Sequence, residues 1–478
     1  MPHSSRGSPD SQLPSGGVEL REDLPLKARG GAGGGWGSGT RCAGGPRLLL
    51  AAFAAFTAAV TLALLTQIHF GDFELVPHGS VSSSAAACSR AGTDALKAGG
   101  RALDAALAAA LCLAVLAPHR TSLDASGALL YWEYRNARTQ PPALYEWGSV
   151  GDAAAGAGGS GERAPRLVAA LATLHAQLGT LPWSQLLAPT VQLAKDGYVV
   201  SDGLAAAAAA AGAGGAGAFA AGALAAAPEL ADYLASLLNH TSAELSASWQ
   251  GSVLVRRSPA PMYGAGTWRV LVAGAGAPAA RALAAALAPP PDTPDDAQRR
   301  VVEALQGEAR AGALAAGGVA TGLAAVDRYD TYVALVTGLS APFGSGPVSA
   351  AGWARDEPAA PLDLPPAILL DDSVCGTRYV LGAESTSALA QAAAALALDG
   401  VAGAVERARV QVRPGGRLAL EAGRPLLEPN ALPAAPAAPG APPLNASLPY
   451  AAVNLVQQRA DALASHADSR GGGLASRF

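Results

Sequence analysis

Gly317-Gly318-Val319-Ala320-Thr321-Gly322-Leu323-Ala324-Ala325-Val326-Asp327 leads, after a polar break, into Val333-Ala-Leu-Val-Thr337 and then Phe343-Gly344-Ser345. A glycine-led apolar run, a break and a second apolar run read as two strands joined by a turn. Position within the first strand decides its chemistry. Ala320 has no hydroxyl and Thr321 has one, and a slip of one residue moves a side chain to the opposite face of a sheet. The glycines at 317, 318 and 322 leave room for a bulge that could re-aim Thr321.

The 478-residue chain is long enough for one large core or two modest ones. Its 33 basic and 37 acidic residues give a net charge of −4, so no nucleic-acid partner is expected. Charged residues make up 15%, against about 25% in typical globular domains. Alanine and glycine fill the difference, in tracts such as Ala205–Ala211 and Gly212–Gly215. These tracts, and the glycine-rich run Ala153–Gly161, are low in complexity and do not form dinucleotide fingerprints. The seven histidines are scattered and no Cys/His metal spacing occurs. Neither a Gly-x-Ser-x-Gly turn nor a phosphate loop is present. No metal and no cofactor is expected.

Leu48 to Leu65, extendable to Ile68, is uncharged and apolar over a length that suffices to cross a bilayer. Arg6, Arg21, Lys27, Arg29, Arg41 and Arg47 precede it, and the next basic residue is Arg90. The positive-inside rule then predicts a type II anchor over 47–68, with a disordered cytosolic tail at 1–46 and an extracellular or luminal body. A cleaved signal peptide fits less well, because the apolar run is long and lies deep in the chain. Asn239-His-Thr241 and Asn445-Ala-Ser447 are glycosylation sequons, consistent with that side of the membrane. Cys88 and Cys112 could pair in an oxidising compartment, leaving Cys375 and Cys42; a buried free thiol at Cys112 is the alternative.

Downstream, Ala85–Pro118 reads as two helices separated by the glycine stop at Lys97-Ala-Gly-Gly100. Gly127–Trp132 and Ala143–Val150 read as strands. Pro165 opens a helix with the stripe Leu167, Leu171, Leu174 and Leu178, closed by Gly179. His175 on that helix is expected to be structural. Arg269–Ala275 and Ala279–Ala288 read as a strand and a helix start. Thr293-Pro294-Asp295-Asp296 is a well-formed helix N-terminus, with a hydroxyl cap, an early proline and acids against the dipole. Tyr379–Gly382 reads as a strand, Ser387–Leu398 as a helix, and Pro433–Pro443 as a proline-rich insert.

Several of these words resemble one family. They are Ala91-Gly-Thr-Asp-Ala-Leu-Lys-Ala-Gly-Gly100 with Cys112-Leu-Ala-Val115; Leu174-His-x-x-x-Gly179-x-Leu-Pro-Trp-x-x-Leu-x-x-Pro189-x-x-x-Leu-Ala194; and Ser465-His-Ala-Asp-Ser-Arg470-Gly-Gly-Gly. Together with the opening stretch they resemble the γ-glutamyltransferases, also called glutathione hydrolases. The short spacer between Arg300-Val-Val-Glu-Ala-Leu305 and Ala320 is similar to a short, divergent vertebrate branch of that family. The resemblance implies the αββα sandwich of the N-terminal nucleophile hydrolases, an α+β fold. It divides the chain into a large-chain-like region, 69–319, and a small-chain-like region, 320–478, and it favours a Cys88–Cys112 disulfide.

For the site, the resemblance implies a nucleophilic threonine whose freed α-amine serves as its base. An ungapped count from Asp327 puts that position at Ala320, which leaves Thr321 as the candidate catalytic residue. The family's substrate-gripping arginine falls at Tyr145, and its substrate-contacting Thr-x-Asn appears as Gly338-Leu-Ser340. Its paired acids fall near Asp356-Glu357, and its oxyanion glycines become Ser385-Thr386. Ser340, Ser385 and Thr386 are therefore the substrate-binding candidates. An active chain would cleave or transfer the γ-glutamyl group of glutathione and its conjugates. An inactive one would act as a binding or structural membrane glycoprotein.

Overall fold

The computed structural model describes residues 45–70, 77–148, 164–212, 219–250, 253–315, 317–372, 376–421 and 451–478. Residues 1–44, the run Ala153–Gly161, Cys42, Cys375, the insert Pro433–Pro443 and Asn445 lie outside the described residues. The chain divides into two compact units, 1–74 and 75–478.

The first unit holds the helix Gly45–Phe70. Its span Arg47–Thr66 has a mean hydropathy of 2.4 and is long and apolar enough to cross a membrane.

In the second unit a seven-stranded sheet runs, edge to edge, Ser476–Arg477, Ser80–Ser83, Val319–Val326, Thr331–Leu339, Ser126–Glu133, Ala143–Trp147 and Val255–Pro259. A six-stranded sheet runs Ala462–His466, Val453–Arg459, Thr377–Ala383, Pro366–Asp371, Trp268–Val272 and Met262–Ala265. All neighbouring strands are antiparallel. The expected strand pair of the opening stretch forms the centre of the larger sheet, and its strands are buried from Ala320 onward. Burial on both faces explains why they read as continuous apolar runs without polar alternation.

Three cores separate four layers. Leu103, Leu107 and Leu111 of the helix Ala102–Leu116 pack with Leu323, Ala325, Val333 and Leu335 on the outer face of the larger sheet. Leu283, Val301 and Leu389, from helices Ala277–Leu287, Pro294–Arg310 and Thr386–Glu406, pack with Val270, Leu369 and Leu381 of the smaller sheet. Between the sheets lie Ala324, Tyr332, Ala334, Val336, Ile368 and Val380. The order helix, sheet, sheet, helix is the expected sandwich.

The local expectations are met with trimmed ends. The paired helices are Ala86–Lys97 and Ala102–Leu116, tied by the Cys88–Cys112 disulfide. Pro165 and Gly179 bound the helix Arg166–Leu178, and Thr293 accepts the Asp296 amide as its helix's cap. His175 is structural: its ring nitrogens meet Ser242 Oγ at 2.7 Å and the Leu181 carbonyl at 2.8 Å. The helix read as Ser387–Leu398 begins one residue earlier, at Thr386, and breaks at Gly400, whose φ of 66° is non-helical and costs glycine no Cβ clash; a short second helical stretch follows to Glu406.

The two sheets touch backbone to backbone where Gly322 meets Gly382. A Cβ on Gly322 would sit 2.4 Å from the Gly382 carbonyl carbon, and one on Gly382 would sit 2.2 Å from the Leu323 nitrogen. Asn454 Nδ2 donates to the Gly322 carbonyl at 2.7 Å, bridging the sheets beside that contact. A second lock holds the chain's last elements. Asp468 accepts from the Val453 amide and from Arg409, while Arg470 joins Asp468 to Glu421.

Gly322→Ala should be destabilising by about 3 kcal/mol or more, since overpacking typically costs about 1–3 kcal/mol and the obstructing atoms here are backbone. Chemical denaturation checks this, and an unchanged midpoint would contradict the close approach.

Candidate functional site

A cavity of about 420 Å³ opens where the strand Val319–Val326 meets the start of the helix Thr386–Glu406. Ala320, Arg120, Asp363, Glu384, Ser385 and Thr386 belong to its wall. The alternation of the strand fixes which side chain looks where. Ala320 lies on the inter-sheet face with Ala324 and Val326, whereas Leu323 and Ala325 lie on the helix face. Thr321 follows the odd positions, sits opposite Thr337 across the strand pair, and is 1% exposed. Its hydroxyl donates to Ser84 Oγ at 3.2 Å, and it forms no part of the cavity wall.

Ser84 is a hub. It accepts from Thr321 and from Asn454 Nδ2 at 2.9 Å, and it donates to Glu384 Oε1 at 3.2 Å. Glu384 is ion-paired with Arg120 and accepts the Ala452 amide at 2.8 Å. Burial pushes the Glu384 carboxyl above its ordinary range, and the Arg120 charge opposes that shift. His119 beside it is pushed down to about 3, by burial first and then by the Arg120 charge. It is therefore a neutral imidazole at physiological pH.

Ser385 caps the helix by accepting the Ala388 amide at 3.1 Å. The Thr386 amide donates to Asp363 Oδ2 at 2.9 Å, and the Thr386 hydroxyl bonds Asp363 Oδ1 and the Ala275 carbonyl. The Asp363 carboxyl is pushed up to about 6 by burial, against the opposing Thr386 hydrogen bonds. One of the two amides at the expected oxyanion position is thus spent on a protein carboxylate.

Ser385 and Thr386 are brought to the cavity together; Ser340 and Thr321 are not part of its wall. The Ser340 amide and hydroxyl both bond Asp356. The Asp356 carbonyl in turn accepts from Arg166, which is ion-paired with Asp124. Asp356 therefore ties loops together. Tyr145, at the expected arginine position, is buried in the core between sheet and helices. Asn239 is exposed and its sequon Thr241 caps the next helix by accepting the Glu244 amide. No group of three or more potential metal ligands occurs among the described residues. Sequence reading missed His119, Asp363, Glu384 and Arg413, which reach the wall from separate loops; the only local signal was that Glu384 directly precedes Ser385.

Residues 88–240 match the gamma-glutamyltranspeptidase family model, in agreement with the resemblance seen in the sequence. The chain is 35% identical over 179 residues to glutathione hydrolase 7 of Bos taurus, covering 34% of this chain and 26% of that protein. It is 42% identical over 134 residues to glutathione hydrolase 6 of Rattus norvegicus, covering 28% and 25%. It therefore spans about a quarter of the length of these relatives. Among solved structures, the cephalosporin acylase from Bacillus halodurans superposes with a TM-score of 0.60 at 17% identity, over 84% of this chain and 96% of that one. The shared fold is one of mixed helix and sheet.

Asp363 titrates near 6 in the fold, against 3.8 when unperturbed, so the folded state holds its proton more tightly across that window. The stability this adds is complete below about pH 4 and is lost as the pH rises through 6. It amounts to at most about 3 kcal/mol, less whatever solvent from the cavity screens. His119, with its lowered pKa, contributes a slope of opposite sign. Urea unfolding of the native chain and of Asp363→Asn between pH 4 and 7 isolates the term, because His119 is common to both. The native chain should lose stability relative to the variant as pH rises, and a gap independent of pH would contradict the assignment.

Proposed function

We propose that this chain, whose residues 88–240 match the gamma-glutamyltranspeptidase family, binds γ-glutamyl compounds such as glutathione and its conjugates without turning them over. The observation that carries this reading is the orientation of one strand. The side chain presented to the cavity is the methyl of Ala320, while the Thr321 hydroxyl is buried against Ser84. A methyl cannot attack a γ-glutamyl carbonyl, nor the peptide bond before it, so neither self-cleavage nor an acyl-enzyme can form there. The spent Thr386 amide, the Ser340–Asp356 tie and Tyr145 at the arginine position point the same way.

A second reading has one observation in its favour. The Thr321 hydroxyl reaches the cavity's Arg120–Glu384 pair through Ser84, a polar connection by which a re-aimed Thr321 could act as catalytic residue in glutathione hydrolysis. In either case the span Leu48–Ile68 is assigned as a type II membrane anchor, with the body extracellular or luminal and glycans at Asn239 and Asn445. Hydropathy at Arg47–Thr66, the exposed Asn239 and the formed Cys88–Cys112 disulfide support this placement.

Intact-mass analysis and N-terminal sequencing of the purified, deglycosylated protein separate the readings. The binding reading expects one uncut chain in both the native protein and Thr321→Ala. Two fragments, the smaller beginning at Thr321, would support the hydrolase. Ala320→Thr should restore no measurable release of glutamate from glutathione, since Tyr145 still stands at the family's arginine position and the Thr386 amide is still spent on Asp363. Recovered turnover would overturn the binding reading.

A further inference from the structure

Of the charged groups in the cavity wall, one guanidinium has no carboxylate partner among the described residues. Glu384 is spent on Arg120. Asp363 is spent on the start of the helix Thr386–Glu406, where both its oxygens accept from Thr386, so it also offsets the positive end of the helix dipole. His119 is uncharged at physiological pH. Arg413 remains. It lines the cavity, is half-buried, and makes no ion pair among the described residues.

Its backbone is held on both sides. Arg413 sits where the hairpin of Val410–Val412 with Leu418–Leu420 turns, its amide donating to the Arg417 carbonyl at 2.8 Å and its carbonyl accepting the Gly416 amide at 3.0 Å. The turn uses Gly415 and Gly416 with φ of 78° and 79°, so the hairpin tip is committed to this shape. An arginine in partial desolvation, fixed at its root and without a carboxylate partner, is an unfilled two-pronged donor. Its planar fork matches a carboxylate better than any neutral acceptor.

We propose that Arg413 is the specificity-determining residue of the cavity and selects ligands that carry a carboxylate, which it grips through its guanidinium. This rests on the reading of the cavity as a ligand site. Because Glu384 and Asp363 are already engaged elsewhere, a carboxylate on the ligand supplies the partner that Arg413 lacks among the described residues. A neutral analogue of the same shape leaves Arg413 half-buried and unpaired.

The test is calorimetric titration of the purified full chain in detergent, native and as Arg413→Gln and Arg413→Lys, with glutathione, its two monoamides and N-acetylglycine. The proposal expects one monoamide to bind the native chain about ten- to hundred-fold more weakly than glutathione, the range for a charge-assisted pair. Arg413→Gln should show the same loss for glutathione and no further loss for that amide. Arg413→Lys should fall between, with melting temperature unchanged in both variants. If both monoamides bind as tightly as glutathione and Arg413→Gln has no effect, Arg413 is not the grip, although the γ-glutamyl reading stands. If N-acetylglycine binds through Arg413 and glutathione does not bind, the Arg413 proposal holds and the γ-glutamyl reading fails. Binding of no probe overturns both.

Discussion

The backbone contact between Gly322 and Gly382 sets the geometry on which everything else in this protein depends. Two sheets normally pack about 10 Å apart with side chains interleaved. Here the absence of both Cβ atoms lets the strands meet directly, and Asn454 bridges them through the Gly322 carbonyl. With residue 322 fixed on the inter-sheet face, the period of two fixes its neighbours. Ala320 must share that face, and Thr321 must point to the helices. A bulge that re-aimed Thr321 would have to break this contact or the ladder that pairs Thr321 with Thr337.

The cavity that results is lined by polar groups from several elements. Its polar groups are already committed to one another: Glu384 to Arg120, Asp363 to Thr386, Ser385 to its own helix. Preorganised donors accelerate a reaction only when they aim at charge that develops in the transition state, and here a protein carboxylate takes one of them. What the wall still offers a ligand is shape, a neutral imidazole and one guanidinium with no ion pair among the described residues. Those features discriminate among ligands without requiring that any bond be broken.

Much of the fold was legible because its signals are local and periodic. The leucine stripe from Leu167 to Leu178, the Thr293 cap and the paired apolar runs at 319–326 and 331–339 each follow from neighbouring residues. The helix read as Ser387–Leu398 is interrupted just beyond that reading, at Gly400, whose backbone is non-helical. The site was less legible. That Ala320 and Thr321 face opposite ways follows from strand period, but which of them faces the cavity depends on Gly382, sixty residues on by sequence count. Glu384, Asp363, His119 and Arg413 come together only when loops from both sheets converge. Apart from Glu384 directly preceding Ser385, nothing in their local sequence marks that convergence.

The orientation of residues 320 and 321 is the claim on which the rest turns, and cysteine accessibility reads it directly. Ala320→Cys and Thr321→Cys would each be made in a background with Cys42 and Cys375 replaced by serine, leaving the Cys88–Cys112 disulfide intact, and exposed to a small methanethiosulfonate reagent under native conditions. The account predicts rapid labelling at 320 and protection at 321 until the protein is unfolded. Labelling at 321 with protection at 320 would contradict it and would put the threonine hydroxyl back in the cavity.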